Sequence, residues 1–175
     1  LLSEKGKEAL APYKVENAMI MAAGKGTRFV PLTYEIPKGL LRVKGEVLIE
    51  RQIEQLRKAG IHNITVVVGY MQEHFFYLED KYDVKIVINT DYYRYNNTST
   101  LMAVLEELGN TYICSSDNYF VDNVFTPYVY EAYYAAQYAT GTTGEYCITT
   151  NSHGVITDVV IGGSNSWYMM GHVYF

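Results

Sequence analysis

Five consecutive positions, 64–68, read ITVVV, and all five are β-branched. Branching at Cβ stiffens χ1 and favours the pleated strand. A strand that is apolar on both sides has to be covered on both, which places it inside a parallel sheet. Positions 17–22, 84–88 and 111–115 are further short apolar runs. Between the runs lie helical patterns. Positions 47–59 carry apolar residues at 48, 49, 53 and 56 and are followed by Gly60 as a stop. Positions 71–81 and 98–108 also read as helices. Strand alternating with helix predicts an α/β fold, a mainly parallel sheet with helices on both faces. A further helix is expected over 126–139. Strands are expected at 145–150, 155–161 and 167–175, the first two joined by the turn Asn151-Ser152-His153-Gly154. These three lack intervening helices and add antiparallel pairing at one edge.

The chain has 175 residues, enough for one domain with a real core and hardly enough for two. Residues 1–16 read as a tail or as the end of an upstream domain, and 17–175 as the domain itself. A formal charge of −5 argues against nonspecific nucleic-acid binding, which needs a basic face. No apolar run is long enough to span a membrane. Cys114 and Cys147 each sit in a strand-like run without a CxxC pattern, so free core thiols and a reducing, cytoplasmic compartment are expected. His62, His74, His153 and His172 show no metal-ligand spacing and read mostly as surface or turn residues.

In a parallel sheet, ligands bind beyond the carboxyl ends of the strands. The loop after position 22 is the richest there: Gly24-Lys25-Gly26-Thr27-Arg28, then Pro31, Pro37 and Lys38. It is not the P-loop, GxxxxGKS or GxxxxGKT, because Met19 stands five before Gly24 and Gly26 follows Lys25. It is not the dinucleotide fingerprint, because Phe29 stands where the third glycine belongs. The glycines still let backbone N–H groups approach a ligand. Arg28 offers a planar fork for phosphate oxygens, and Lys25 and Lys38 are compact charges. The plain alternative is a solvated loop with ordinary cations. Asp117 follows the strand at 111–115, a position suited to Mg²⁺ or, alternatively, to an Asx turn or helix cap.

The run Ala22-Ala23-Gly24-Lys25-Gly26-Thr27-Arg28-Phe29, with Pro31-Leu32-Thr33 and Pro37-Lys38, resembles the signature of nucleotidyltransferases acting on sugar phosphates and related phosphates. Val68-Gly69-Tyr70, Tyr95-Asn96-Asn97 and Ser116-Asp117-Asn118-Tyr119 are similar to the CTP:phosphocholine cytidylyltransferase branch. Gly39 departs from that pattern, which usually has proline or alanine after the lysine, and could loosen the Lys38 loop. Residues 5–15 resemble the junction to an upstream winged-helix domain in longer relatives.

The resemblance implies a three-layer α/β/α Rossmann-like nucleotidyltransferase fold with a mixed, mainly parallel sheet. It implies cytidylyl transfer from CTP to phosphocholine, with a sugar 1-phosphate or aminoalkyl phosphonate transferase, or a catalytically inactive nucleotide-binding regulatory domain, as alternatives. Ala22, Ala23, Gly24, Gly26 and Thr27 would hold the nucleotide with Gly69, Asn96 and Asn97, while Lys25, Arg28 and Lys38 neutralise charge. Asp117 would carry Mg²⁺, with a second aspartate expected beyond residue 175. A quaternary ammonium cannot donate hydrogen bonds, so aromatic faces and a carboxylate suit it. Tyr146, Trp167, Tyr133 and Glu145 are the candidates, each with ordinary packing as its alternative.

Overall fold

The computed structural model describes residues 3–94 and 97–175. Helix α1 (Glu4–Leu10) is capped by Ser3, whose Oγ accepts from the Gly6 N–H at 3.2 Å. Strand β1 (Asn17–Ala22) leads into the glycine loop. A short hairpin, β2 (Arg42–Val43) and β3 (Glu46–Val47), precedes α2 (Leu48–Lys58). Then come β4 (Ile64–Val68), α3 (Tyr77–Tyr82), β5 (Lys85–Ile88), α4 (Asn97–Met102) and β6 (Thr111–Ser115). The long strands β7 (Tyr133–Thr150) and β8 (Ile156–Tyr174) complete the chain.

Among the described residues, six strands form one mixed sheet in the order β5-β4-β1-β6-β8-β7. The first four are parallel, and β8 runs antiparallel to both β6 and β7. Strand side chains alternate between faces. Ala18, Ile20, Ile64, Val66, Tyr112 and Cys114 therefore meet Ile49, Ile53 and Leu56 of α2 and Leu78 of α3 in the main core. Met19 and Val67 point to the opposite face, where Val104 and Leu108 cover them. Helices and turns thus cover both faces, as the apolar runs predicted. Emptying one of these core positions, for example Leu56→Ala, would cost about 2–5 kcal/mol. Helix α2 ends as expected: the Gly60 N–H donates to Arg57 O at 2.9 Å and the Ile61 N–H to Leu56 O at 3.0 Å.

Four expectations are corrected. The helix expected at 71–81 starts with Met71 in the left-handed region (φ 50°), so a tight 3₁₀ turn precedes α3. The one at 98–108 breaks at Val104 (φ −132°), leaving α4 and a separate turn. The helix at 126–139 is absent. Residues 126–129 are pinned to the N-terminal segment, with Val15 N donating to Pro127 O at 3.0 Å and Val129 N to Tyr13 O at 2.8 Å. From Tyr133 the chain is strand, paired with Tyr174 and, at Tyr138, with Trp167. Partners 29 and 41 residues away override a weak local preference. The strands expected at 155–161 and 167–175 are one strand, β8. It curls so that Cys147 faces both Val160 and Tyr168.

Candidate functional site

A cavity of about 600 Å³ opens beyond the carboxyl ends of β1 and β6, walled on its far side by β7 and β8. Ala23, Gly24, Arg28, Lys38, Asp117, Glu145 and Tyr146 all line it. Residues from four separate segments are thereby gathered at one place. Asn118, Tyr134, Gln137, Tyr168 and Met170 line it too and were not anticipated. Tyr134 and Gln137 lie in the segment read as a helix, where their facing could not be inferred.

The glycine loop turns at Gly26, which takes φ +62°. A Cβ there would lie 3.0 Å from Thr33 Cγ2 and 3.2 Å from Lys38 Cβ, so the turn is packed beneath the Lys38 segment. Thr33 Oγ1 and the Phe29 N–H both donate to Gly26 O at 2.9 Å, which holds the loop closed. Gly39 is not a loose spot. It is buried, and a Cβ on it would stand 2.8 Å from Ser116 Cβ. The Lys38 turn therefore presses directly onto the residue before Asp117.

The cavity's charges are paired in advance. Lys38 Nζ lies 3.0 Å from Asp117 Oδ2, with both side chains about one-fifth exposed. Arg28 pairs with Glu145 across the opening, and the Arg28 side chain is mostly exposed. Two cations and two carboxylates thus share one cleft. An incoming polyanion can take over the cations, and its attraction is strengthened because the Lys38 pair is partly withdrawn from water. The Asn118 amide donates to Met170 O at 2.9 Å, which closes the floor between β6 and β8.

Other candidates lie elsewhere. Ala22 is buried at the end of β1. Lys25 and Thr27 are exposed on the loop, outside the cavity lining. Gly69 follows β4, and the close approach there is made by the Tyr92 ring: a Cβ would meet its Cβ and Cγ at 2.8 Å. Asn96, and the side chain of Asn97, lie outside the described residues. Trp167 stacks edge-on against Tyr138 at 5.5 Å and is not among the lining residues. Tyr133 lies outside the lining as well, its hydroxyl 2.9 Å from His172 Nε2. His172 is buried, unlike the other three histidines, and burial lowers its pKa to about 4. Burial also pushes the Cys114 thiol and the Tyr133 phenol up. Both cysteines are free and buried.

Among the described residues no three His, Cys, Asp or Glu side chains cluster as a closed metal cage. Asp117 beside Lys38, with Glu145 across the opening, is a donor set that suits a hard cation keeping waters and arriving on phosphates. No helix among the described residues is long and apolar enough to cross a membrane.

A family model described as the MobA-like NTP transferase domain matches residues 18–154. The choline-phosphate cytidylyltransferase of Streptococcus pneumoniae is 40% identical over 144 residues, 82% of this chain and 63% of that protein. The 2-aminoethylphosphonate cytidylyltransferase of Lancefieldella rimae is 40% identical over 163 residues, 91% of this chain and 66% of that protein. The chain thus spans slightly less than two thirds of the length of these curated relatives. The solved structure of the CTP:phosphocholine cytidylyltransferase from Streptococcus pneumoniae superposes with a TM-score of 0.86 at 37% identity, covering 91% of this chain and 70% of that one.

Proposed function

The chain belongs to the MobA-like NTP transferase domain family, and from that premise we propose that it transfers the cytidylyl group of CTP to phosphocholine. The products are CDP-choline and pyrophosphate. The observation that carries this reading is the Lys38–Asp117 pair, set in one cavity with Gly24 and Arg28. It combines triphosphate-holding groups with a place for the reacting phosphorus.

The chemistry asks for little beyond placement and charge. An oxygen of the acceptor phosphate attacks the α-phosphorus of CTP, and the bond from that phosphorus to the bridging oxygen of the β-phosphate breaks in line. No general base is required, because a phosphate monoester is largely ionised at neutral pH. The loop at Gly24 to Arg28 holds the triphosphate, with Arg28 and Lys25 neutralising the departing pyrophosphate. Lys38 aligns the two reacting phosphates. Asp117 would hold Mg²⁺, which supplies charge neutralisation at the phosphates. Rings of Tyr134, Tyr146 and Tyr168 line the same cavity and offer π-faces to a quaternary ammonium, with Glu145 as its counter-charge. The free thiols Cys114 and Cys147 suit a reducing compartment such as the cytoplasm.

A second reading, a 2-aminoethylphosphonate as acceptor, is favoured by the Lancefieldella rimae relative, which is also 40% identical. Glu145 could accept N–H bonds from a primary ammonium there. Pyrophosphate release by the full chain with CTP, UTP and dTTP against phosphocholine, 2-aminoethylphosphonate and glucose 1-phosphate tests both. Fastest release with CTP and phosphocholine is expected. Fastest release with the phosphonate would move the acceptor assignment. CTP binding without release for any acceptor would make this a nucleotide-binding regulatory domain.

A further inference from the structure

Helix α2 carries two side chains that its apolar stripe does not explain. Gln52 is fully buried and Gln55 nearly so. With Arg51 they form one polar strip, since positions 51, 52 and 55 share a helix face. All three reach the same target, the backbone that carries Asp117. The Gln52 amide donates to Ser115 O and to Asn118 O, both at 2.8 Å. Those two carbonyls bracket Asp117, and being acceptors they require the NH₂ end of the amide. Gln55 Nε2 donates to Phe120 O at 3.1 Å and Asp122 O at 3.3 Å. The Arg51 guanidinium donates to Phe120 O at 2.9 and 3.0 Å and to Val121 O at 2.6 Å. It also stacks on the Tyr119 ring at 4.7 Å. Five carbonyls between Ser115, the last residue of β6, and Asp122 are thus held by three side chains of one helix.

The same helix is tied to the other half of the pair. The Leu48 N–H at its start donates to Leu41 O at 3.1 Å, just after the turn that holds Lys38 and Gly39. Gly39 in turn presses on Ser116. Helix α2 therefore acts as a ruler between Lys38 and Asp117. We infer that Gln52 is a positioning residue for Asp117, setting through the Ser115 and Asn118 carbonyls the place at which its carboxylate meets Lys38 and the phosphate-borne cation. The arrangement carries a cost: Gln52 Oε1 is buried without a partner among the described residues. An apolar side chain of the same length would remove that cost and would release both carbonyls.

The inference rests on the proposed cytidylyl transfer, and its test separates the two. In the full chain, Gln52→Met keeps the volume and removes the amide. It should lower kcat about tenfold to a hundredfold and raise the Mg²⁺ concentration for half-maximal rate by a similar factor. The KM for CTP should stay within about threefold, because the glycine loop is untouched. Amide hydrogen exchange over 116–122 should quicken while exchange in β1 and β4 stays native. Arg51→Lys, at a partly exposed site, loosens the same segment from its outer side. It should show a smaller fall in kcat with the same local exchange signature, and it decides the matter if Gln52→Met does not fold. Native kcat and Mg²⁺ dependence in the folded variants would overturn the inference, whatever their melting temperature. If the native chain releases no pyrophosphate from any acceptor, the proposed function fails. The exchange comparison then still reports whether Gln52 and Arg51 hold the Asp117 segment, and unchanged exchange there would refute the grip by itself.

Discussion

Lys38 Nζ and Asp117 Oδ2 stand 3.0 Å apart, although 79 positions separate the two residues and they lie in different turns, one opening at Lys38 and one following β6. Each side chain keeps the other's charge compensated until a substrate enters. Neither Lys38→Ala nor Asp117→Ala removes a core contact, so both variants should fold. Each should reduce turnover by about a hundredfold or more, as loss of a single preorganised charge does elsewhere. Pyrophosphate release beside a thermal melt checks this. Native-like turnover in either variant removes that residue from the mechanism.

Arg28 and Glu145 form the second pair, with Arg28 largely in solvent and Glu145 partly so. Glu145→Gln should change stability by only about 0–1 kcal/mol. The KM for a cationic acceptor should rise, since its counter-charge is gone, while the KM for CTP should hold or fall because Arg28 is released. Opposite movements of the two constants would place Glu145 on the nucleotide side.

Gly39 bears directly on Ser116. A methyl group at 39 would stand 2.8 Å from Ser116 Cβ and 2.9 Å from its Oγ. Gly39→Ala should therefore destabilise the domain by about 1–3 kcal/mol, as overpacking does, and slow turnover with it. Adding Ser116→Gly should recover much of both. Urea unfolding of the two single variants and the double variant measures the coupling.

How much of this was legible depended on how local the signal was. The strand at 111–115 and the stop at Gly60 match the sequence reading residue for residue, because β-branching and a helix-ending glycine act within a few positions. Lys38, Arg28 and Asp117 were legible as chemistry, but their pairings were not, since those depend on which loops the sheet order brings together. The first part of β7, 133–139, was misread because its tyrosines and alanines fit either period, and only pairing with residues such as Tyr174 decides. That error hid Tyr134 and Gln137. Gln52 was not singled out, because the carbonyls it satisfies lie more than sixty residues away.

His172 offers a pH test of the β6–β8 junction. It is buried, stacked on Tyr112 at 5.6 Å, and its pKa falls from 6.5 to about 4 by burial. Between those values the unfolded chain binds the extra proton and the folded chain does not. Stability is therefore intact above pH 6.5 and is lost as pH falls toward 4, by up to about 3 kcal/mol. Melting temperature against pH for native protein and His172→Phe checks it: the variant's curve should be flatter over that window. Parallel curves would mean that His172 does not titrate on unfolding.

The most direct measurement is a crystal structure of the full-length protein with CTP and Mg²⁺. The triphosphate should lie against the backbone at Gly24 and Gly26 with Arg28 turned from Glu145 to its oxygens, and the Lys38–Asp117 pair should open around the α-phosphate and the metal. A nucleotide seated elsewhere, with Lys38 and Asp117 still joined at 3.0 Å, would contradict the account.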